Sequence, residues 1–326
     1  MTSVLTFVEH DGGTPEKVSL EALTFARALS ERMSLPLYAL VIGADGAVAS
    51  DALGAYGVAE VHVATDDRLD PYAPRAWAAS AATLMDAGAP AVVVGPGSER
   101  GAEVMAHLAA RAGLPLAANC THVEPGDPFV VTRQRWGGSL LEVAELEAPV
   151  ALLTVAPHAV QPEPATGPGA ASCREFRPTL DEADLIVRVA GRLEPERGAV
   201  SLSEARVVVG GGRGVGSADG FAELEELAEL LGGTVGVSRV VTSLGWRPHT
   251  DQVGQTGTRI APDLYVACGI SGAIQHMVGA KGAKHLLAIN TDREAPIMAK
   301  AEWAVVGDLH AVVSAVNAEI RRVRGS

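Results

Sequence analysis

Four short segments in the carboxy-terminal part of the chain carry residue types from which a binding site can be built. The stretch "VVVGGGRGVGS" (207–217) runs an apolar strand into glycines. Glycine lets backbone amides approach a ligand closely, and Arg213 adds a fixed, fork-shaped cation. The spacing is not the dinucleotide fingerprint, because from no glycine here are the first, third and sixth positions all glycine or alanine. A phosphate cradle and a plain tight turn both fit this segment. In "GISGAIQH" (269–276), Gly269 closes a strand and Ser271 is expected to cap a helix beginning near Gly272. The free amides of such a helix start suit an anion such as pyrophosphate. Gln275 and His276 then fall in the first turn, although His276 alone reads first as a hydrogen-bonded structural histidine. The loop "QVGQTG" (252–257) sets Gln252, Gln255 and Thr256 among glycines. These are neutral donors and acceptors for the edge of a heteroaromatic ring, not an acid/base pair. In "VGVSR" (235–239), Ser238 precedes Arg239, which fits a surface charge as readily as a ligand contact.

Loops of this kind need strands to hold them. Apolar runs at 263–269, 285–290 and 303–308 end in small or polar residues, and in an open parallel sheet ligands sit beyond the carboxyl ends of the strands. Phe221, Leu224, Leu227 and Leu231 form a helical stripe stopped by Gly232 and Gly233. The first half shows the same grammar, with β-rich runs at 4–10, 37–43, 60–66 and 91–97. Helical stretches lie between them, one striped by Leu20, Leu23, Ala26, Leu29 and Met33 and another over 101–112. Strand–helix alternation predicts an α/β class with two domains, each a mostly parallel sheet flanked by helices. The runs within 128–146 and 149–157, with a turn at Gly137–Gly138, predict an antiparallel addition to the first sheet. Residues 161–172 read as a surface loop, "DLIVRVAG" (184–191) as a last strand of the first domain, and 191–204 as a charged linker. The expected domains are therefore 1–190 and 205–326.

Composition narrows the function classes. With 48 % hydrophobic residues in 326, each domain can bury a core. The balance of 26 basic against 39 acidic residues, a net charge of -13, argues against a nucleic-acid surface. The amino terminus has no signal-peptide grammar and no run has the length of a membrane span, so a cytoplasmic protein without stable membrane insertion is expected. Three scattered cysteines point to reduced thiols, and the nine histidines form no metal-binding motif.

Taken in order, "GGRG", "GVSR", "QVGQTG", "LYVACGISGAIQH", "AINTDREAPI" and "VVGDL" resemble the alpha subunit of electron-transfer flavoprotein. The first half resembles that family more loosely, through "GPGSERGAEVMAHLAARAGLPLAANC" and "RQRWGGSLL". The resemblance implies a non-GxGxxG FAD-binding fold in the second domain and a first domain that pairs with a beta subunit holding AMP or a second FAD. It also implies an electron carrier, not an enzyme with its own substrate. Electrons would pass from flavin dehydrogenases, such as acyl-CoA dehydrogenases, to a membrane-bound quinone oxidoreductase or another acceptor through a stabilised flavin semiquinone. An FAD or nucleotide sensor, a scaffold, and an electron-bifurcating form are the alternatives. Carried over by position, the FAD contacts are Arg213, Ser238, Arg239, Gln252, Val253, Gly254, Gln255, Thr256, Ser271, Gly272, Ala273, Ile274, Gln275, His276, Asn290, Asp308 and Leu309. Arg239 would lie over the ring system, Thr256 near N5 and His276 near the C2 carbonyl, and Arg239 and His276, as guanidinium and imidazolium, would favour an anionic semiquinone. Asn290 and Asp308 would hold the adenosine end. The chain departs from the family at "TSLGW" (242–246), Thr258, Thr291 and Ala156.

Overall fold

The computed structural model describes residues 2–167, 169–190 and 201–325. The chain forms two compact units, Met1–Arg192 and Leu193–Ser326. No helix among the described residues is long and apolar enough to cross a membrane.

The first unit contains β1 (Val4–Val8), β2 (Leu37–Ile42), β3 (Glu60–Ala64), β4 (Val92–Gly95), β5 (Leu116–Glu124), β6 (Phe129–Arg135), β7 (Leu140–Leu146), β8 (Ala151–Val155) and β9 (Ser172–Phe176). They make one sheet in the order β9-β3-β2-β1-β4-β8-β5-β6-β7. Its body is parallel, and β6 and β7, joined at Trp136–Gly138, form the expected antiparallel hairpin, with β6 pairing antiparallel to β5. The continuous apolar sequence of β1 follows from burial on both faces. Val4 and Val8 pack with Leu23 and Leu29 of α1 (Lys17–Met33). Leu5 and Phe7 pack on the opposite face with Ala76 of α2 (Pro74–Gly88) and Met105 and Leu108 of α3 (Glu99–Ala112).

Two expectations for this unit fail. The run 184–190 is not a strand, since Glu182–Leu185 form a short 3-10 turn closed by reciprocal side-chain and backbone hydrogen bonds between Asp181 and Asp184. The buried Asp184 carboxylate also pairs with Arg111 at 2.7 Å, and that pair fixes the turn against α3. The run within 149–157 is not part of an antiparallel addition, since β8 lies between β4 and β5 and pairs in parallel with both, and a further strand, of which only Ser172 falls in the expected loop 161–172, forms at Ser172–Phe176 because its backbone pairs in parallel with β3. Most of the expected linker, 191–200, lies outside the described residues.

The second unit is a five-stranded parallel sheet of β10 (Val207–Gly211), β11 (Thr234–Val237), β12 (Leu264–Cys268), β13 (His285–Asn290) and β14 (Trp303–Val306). The order is β11-β10-β12-β13-β14. Its helices are α4 (Ala222–Leu231), α5 (Arg239–Ser243), α6 (Ile274–Ala280) and α7 (Leu309–Arg324). The predicted stripe of α4 packs with Val313 of α7 on Val209 and Val266. Gly232 ends α4 in the left-handed conformation at φ 67, as its sequence position predicts. Between β10 and β12, Gly211 stands level with Cys268, and the chain leaves these two strands toward opposite sides of the sheet. That divergence is a topological switch point. Cys268 is a fully buried core residue, and burial pushes its thiol up to about 12.

The α6 helix begins at Ile274, not near Gly272, and Ser271 is not its cap. Gly272 takes φ 82, and the Ser271 carbonyl accepts a hydrogen bond from the Ile297 amide at 3.1 Å. Those two features hold 271–273 as a loop against the segment that follows β13. A side chain at position 272 would come within 2.6 Å of Ile297, so glycine is required there for space as well as for φ.

Candidate functional site

Beyond the carboxyl ends of β10 and β12, at the switch point, lies a cavity of about 650 Å³. Five segments build it. The loop after β10 contributes Arg213 and Gly214, and the one after β11 contributes Ser238, Arg239 and Val240. Gln252, Val253, Gly254, Gln255 and Thr256 form a third wall, and Ser271, Ala273, Gln275 and His276 the wall after β12. Asn290, Asp292 and Ala295 close the far end after β13.

Glycine brings these loops together. A Cβ on Gly212 would come within 2.2 Å of the Gly269 carbonyl oxygen, so the two loops flanking the switch point meet backbone to backbone. Gly254 and Gly279 approach as closely, and the Gln255 amide donates to the Gln275 carbonyl at 2.8 Å, which ties the 252–257 loop to α6.

The polar lining is mostly neutral. Gln252, 2 % exposed, donates through Nε2 to Thr256 Oγ1 at 3.0 Å, while its Oε1 accepts from Thr242 Oγ1 at 2.7 Å. Thr242 Oγ1 also lies 2.9 Å from the Arg239 carbonyl, so these contacts tie Gln252 and Thr256 to the start of α5. Asn290 uses both ends locally: Nδ2 donates to the Ile270 carbonyl at 2.9 Å and Oδ1 accepts from the Asp292 amide at 3.0 Å. Two cations stand on the rim, Arg213 and Arg239, both exposed and neither in an ion pair among the described residues. A site with two unpaired guanidiniums and neutral walls favours an anionic ligand.

Two deeply buried polar atoms behind these walls are Ser238 Oγ, without a hydrogen-bond partner among the described residues, and His276 Nδ1, beside the Val253 backbone. His276 corrects one expectation. Its ring is buried, 6 % exposed, and burial pushes its pKa down to about 4, so at neutral pH it is imidazole and not imidazolium.

Of the seventeen candidate residues, the cavity gathers Arg213, Ser238, Arg239, Gln252 to Thr256, Ser271, Ala273, Gln275, His276 and Asn290. Four stand apart from its lining. Gly272 lies behind the wall against Ile297, and Ile274 points outward, 68 % exposed. Asp308 caps α7 by accepting from the Ala311 amide at 3.0 Å. Leu309 is buried and packs against Gly269. The candidate set missed Gly214, Val240, Gly269, Ile270, Asp292 and Ala295. The signal available was their place just after a predicted strand end, where a parallel sheet puts its ligand.

An open parallel sheet with a cation-rimmed, glycine-lined cavity at its switch point defines an α/β domain suited to an anionic nucleotide cofactor. Comparison with known proteins narrows this class. Residues 201–281 match the electron transfer flavoprotein FAD-binding domain, and residues 4–181 match the electron transfer flavoprotein domain. The electron transfer flavoprotein subunit alpha of Mycobacterium leprae is 38 % identical over 327 aligned positions, covering 100 % of both chains. Protein FixB of Clostridium saccharobutylicum is 35 % identical over 98 % of this chain and 96 % of its own. The electron transfer flavoprotein subunit alpha of Syntrophomonas wolfei is 34 % identical over 99 % and 100 % respectively. The chain belongs to the electron transfer flavoprotein alpha-subunit family.

Proposed function

We propose that this chain is the FAD-carrying subunit of a heterodimeric electron carrier, taking electrons from flavin dehydrogenases and delivering them to a quinone oxidoreductase or another acceptor. The carrying observation is the cavity itself: two arginines without an ion pair among the described residues and a neutral amide and hydroxyl wall, in a chain whose residues 201–281 match an FAD-binding domain. Members of this family are electron carriers and not substrate-converting enzymes. Bound there, the flavin would supply the electron uptake and release. The protein's part is to hold and tune it. Arg239 and Arg213 attract negative charge on the cofactor, Gln255, Thr256 and His276 offer hydrogen bonds to a heteroaromatic ring, and the packed glycine loops fix the spacing of the walls.

A beta-subunit partner accords with the first unit, whose β6–β7 hairpin exposes Trp136, Leu140, Leu141 and Val143. Copurification with that subunit and absorbance spectroscopy test the reading. A yellow heterodimer with one FAD supports the ordinary carrier, and two flavins per heterodimer would assign it to the bifurcating form. A colourless heterodimer that takes up no added FAD would sink it. Arg239→Ala is expected to weaken FAD binding about tenfold and to lower the flavin reduction potential, read by titration calorimetry and potentiometry. Unchanged values would remove Arg239 from the site.

A further inference from the structure

The loop that carries Arg213 to the cavity rim is held from two directions. On one, the Gly214 amide donates to the Gly269 carbonyl at 3.1 Å, across the switch point. On the other, the Val215 carbonyl lies 3.1 Å from Nε2 of His310, in the first turn of α7. Glycine at 220 leaves that oxygen open, since a Cβ there would come within 2.5 Å of it. The second ring nitrogen of His310, Nδ1, lies 2.8 Å from the carboxylate of Glu223, in the first turn of α4.

Both neighbours of the ring are acceptors, a carbonyl oxygen and a carboxylate oxygen, and neutral imidazole has one N–H for the two of them. An imidazolium donates to both at once, so the two contacts are hydrogen bonds together only when the ring is charged. The charges near it favour that form. The hydrogen bond to Glu223 raises the His310 pKa above the usual histidine value against the opposing effect of partial burial, and the Val215 carbonyl and the Asp308 charge add to the rise. Further along the same two helices, Glu226 and Arg321 pair with each other. We propose that His310 is a positioning residue that, as an imidazolium, pins the Arg213 loop to α4 and α7, a clamp on the rim of the FAD site that closes on protonation and opens on deprotonation. His310 does not line the cavity and acts through the backbone of the loop. This inference rests on the FAD-binding reading for the ligand, and on the protein alone for the charge and contacts of the ring.

Nitrogen–proton correlation spectroscopy of the full chain, labelled with nitrogen-15 at histidine, reads the ring without FAD. At pH 6.5, the usual midpoint of histidine, His310 is expected to be mostly the doubly protonated cation, and Glu223→Gln is expected to lower its midpoint. Hydrogen exchange of residues 212–216, also without FAD, is expected to quicken about threefold in His310→Phe at about pH 6 and to change little at about pH 9. FAD titrated into the chain and followed by flavin fluorescence is expected to bind about threefold more weakly at about pH 9 than at about pH 6, and His310→Phe to remove that difference. A ring mostly neutral at pH 6.5, or a midpoint that Glu223→Gln leaves in place, would overturn the inference. So would loop exchange that His310→Phe leaves unchanged at both pH values, or an FAD affinity that follows pH equally with and without His310. Failure to take up FAD at any pH counts against the function proposed above, whereas the ring and the exchange, read before FAD is added, decide the clamp.

Discussion

The two units carry parallel sheets with switch points of the same kind, one between β1 and β4 and one between β10 and β12, and they fill them in opposite ways. In the first, Glu9 follows β1 directly and is 2 % exposed, and its carboxylate accepts a hydrogen bond from Ser98, just beyond β4. Its backbone amide donates to Ser19 Oγ at 2.8 Å. A side-chain bridge thus spans the gap, and the Ser98 oxygen also accepts from the Gly101 amide to cap α3. In the second, the residues following β10 and β12 are glycines whose backbones touch, and their neighbours face a cavity of about 650 Å³. One topology thus yields a closed, self-satisfied crevice where protein groups pair across it. It yields an open one where glycine replaces them.

The strongest way to break this contrast is to give the second switch point a side chain. Gly212→Ala would drive a methyl into the Gly269 carbonyl, and backbone on both sides leaves little room to yield. A cost of about 3 kcal/mol in urea unfolding, with loss of FAD binding, is expected. Retention of both stability and binding would show that the loops part easily.

A second pair of predictions uses pH. Burial raises the Glu9 carboxyl from 4.5 to about 7, so the unfolded chain ionises first as pH rises and the folded state loses up to about 3 kcal/mol between 4.5 and 7. His276 runs the other way. Its pKa falls from 6.5 to about 4, so its contribution is present above 6.5 and up to about 3 kcal/mol is lost as pH drops to 4. Hydrogen exchange followed by mass spectrometry distinguishes the units. Glu9→Gln is expected to flatten the alkaline loss in the first unit, and His276→Gln the acid loss in the second. If either variant keeps the full pH dependence of its unit, some other group is responsible for it.

How much of this contrast was legible in the sequence depends on where the information sits. The second sheet and its loops were readable because glycines, strand ends and the α4 stripe are local signals, and thirteen of the seventeen candidate residues line one cavity. The misses are non-local. "SCREF" has little apolar patterning and is a strand only because its backbone pairs with β3. "DLIVRVAG" is rich in β-branched residues, yet Asp184 is claimed by Arg111, seventy-three positions away in sequence. Glu9 and Tyr265 gave no signal at all. A buried carboxyl and a buried phenol take their meaning from partners that only the folded chain supplies, Ser98 and His276.

The smallest expected effect compares two helix caps. Asp308 and Ser98 each accept from a backbone amide two residues into the helix they begin, α7 and α3, but their other surroundings differ. The Asp308 residue is exposed and its capping bond is its one side-chain hydrogen bond among the described residues, so Asp308→Ala should cost about 1 kcal/mol, the ordinary value of a lost cap. Ser98→Ala removes the same kind of cap and also leaves the buried Glu9 carboxyl without its donor, for a total of about 2 kcal/mol. Glu9 should then rest more firmly in its protonated form, so the excess cost of Ser98→Ala over Asp308→Ala should grow as pH rises through 7. Urea unfolding of both variants at pH 5 and pH 8 decides it. Equal costs at both values would mean that Ser98 only caps a helix, and that the first crevice is closed by packing instead of by the bridge.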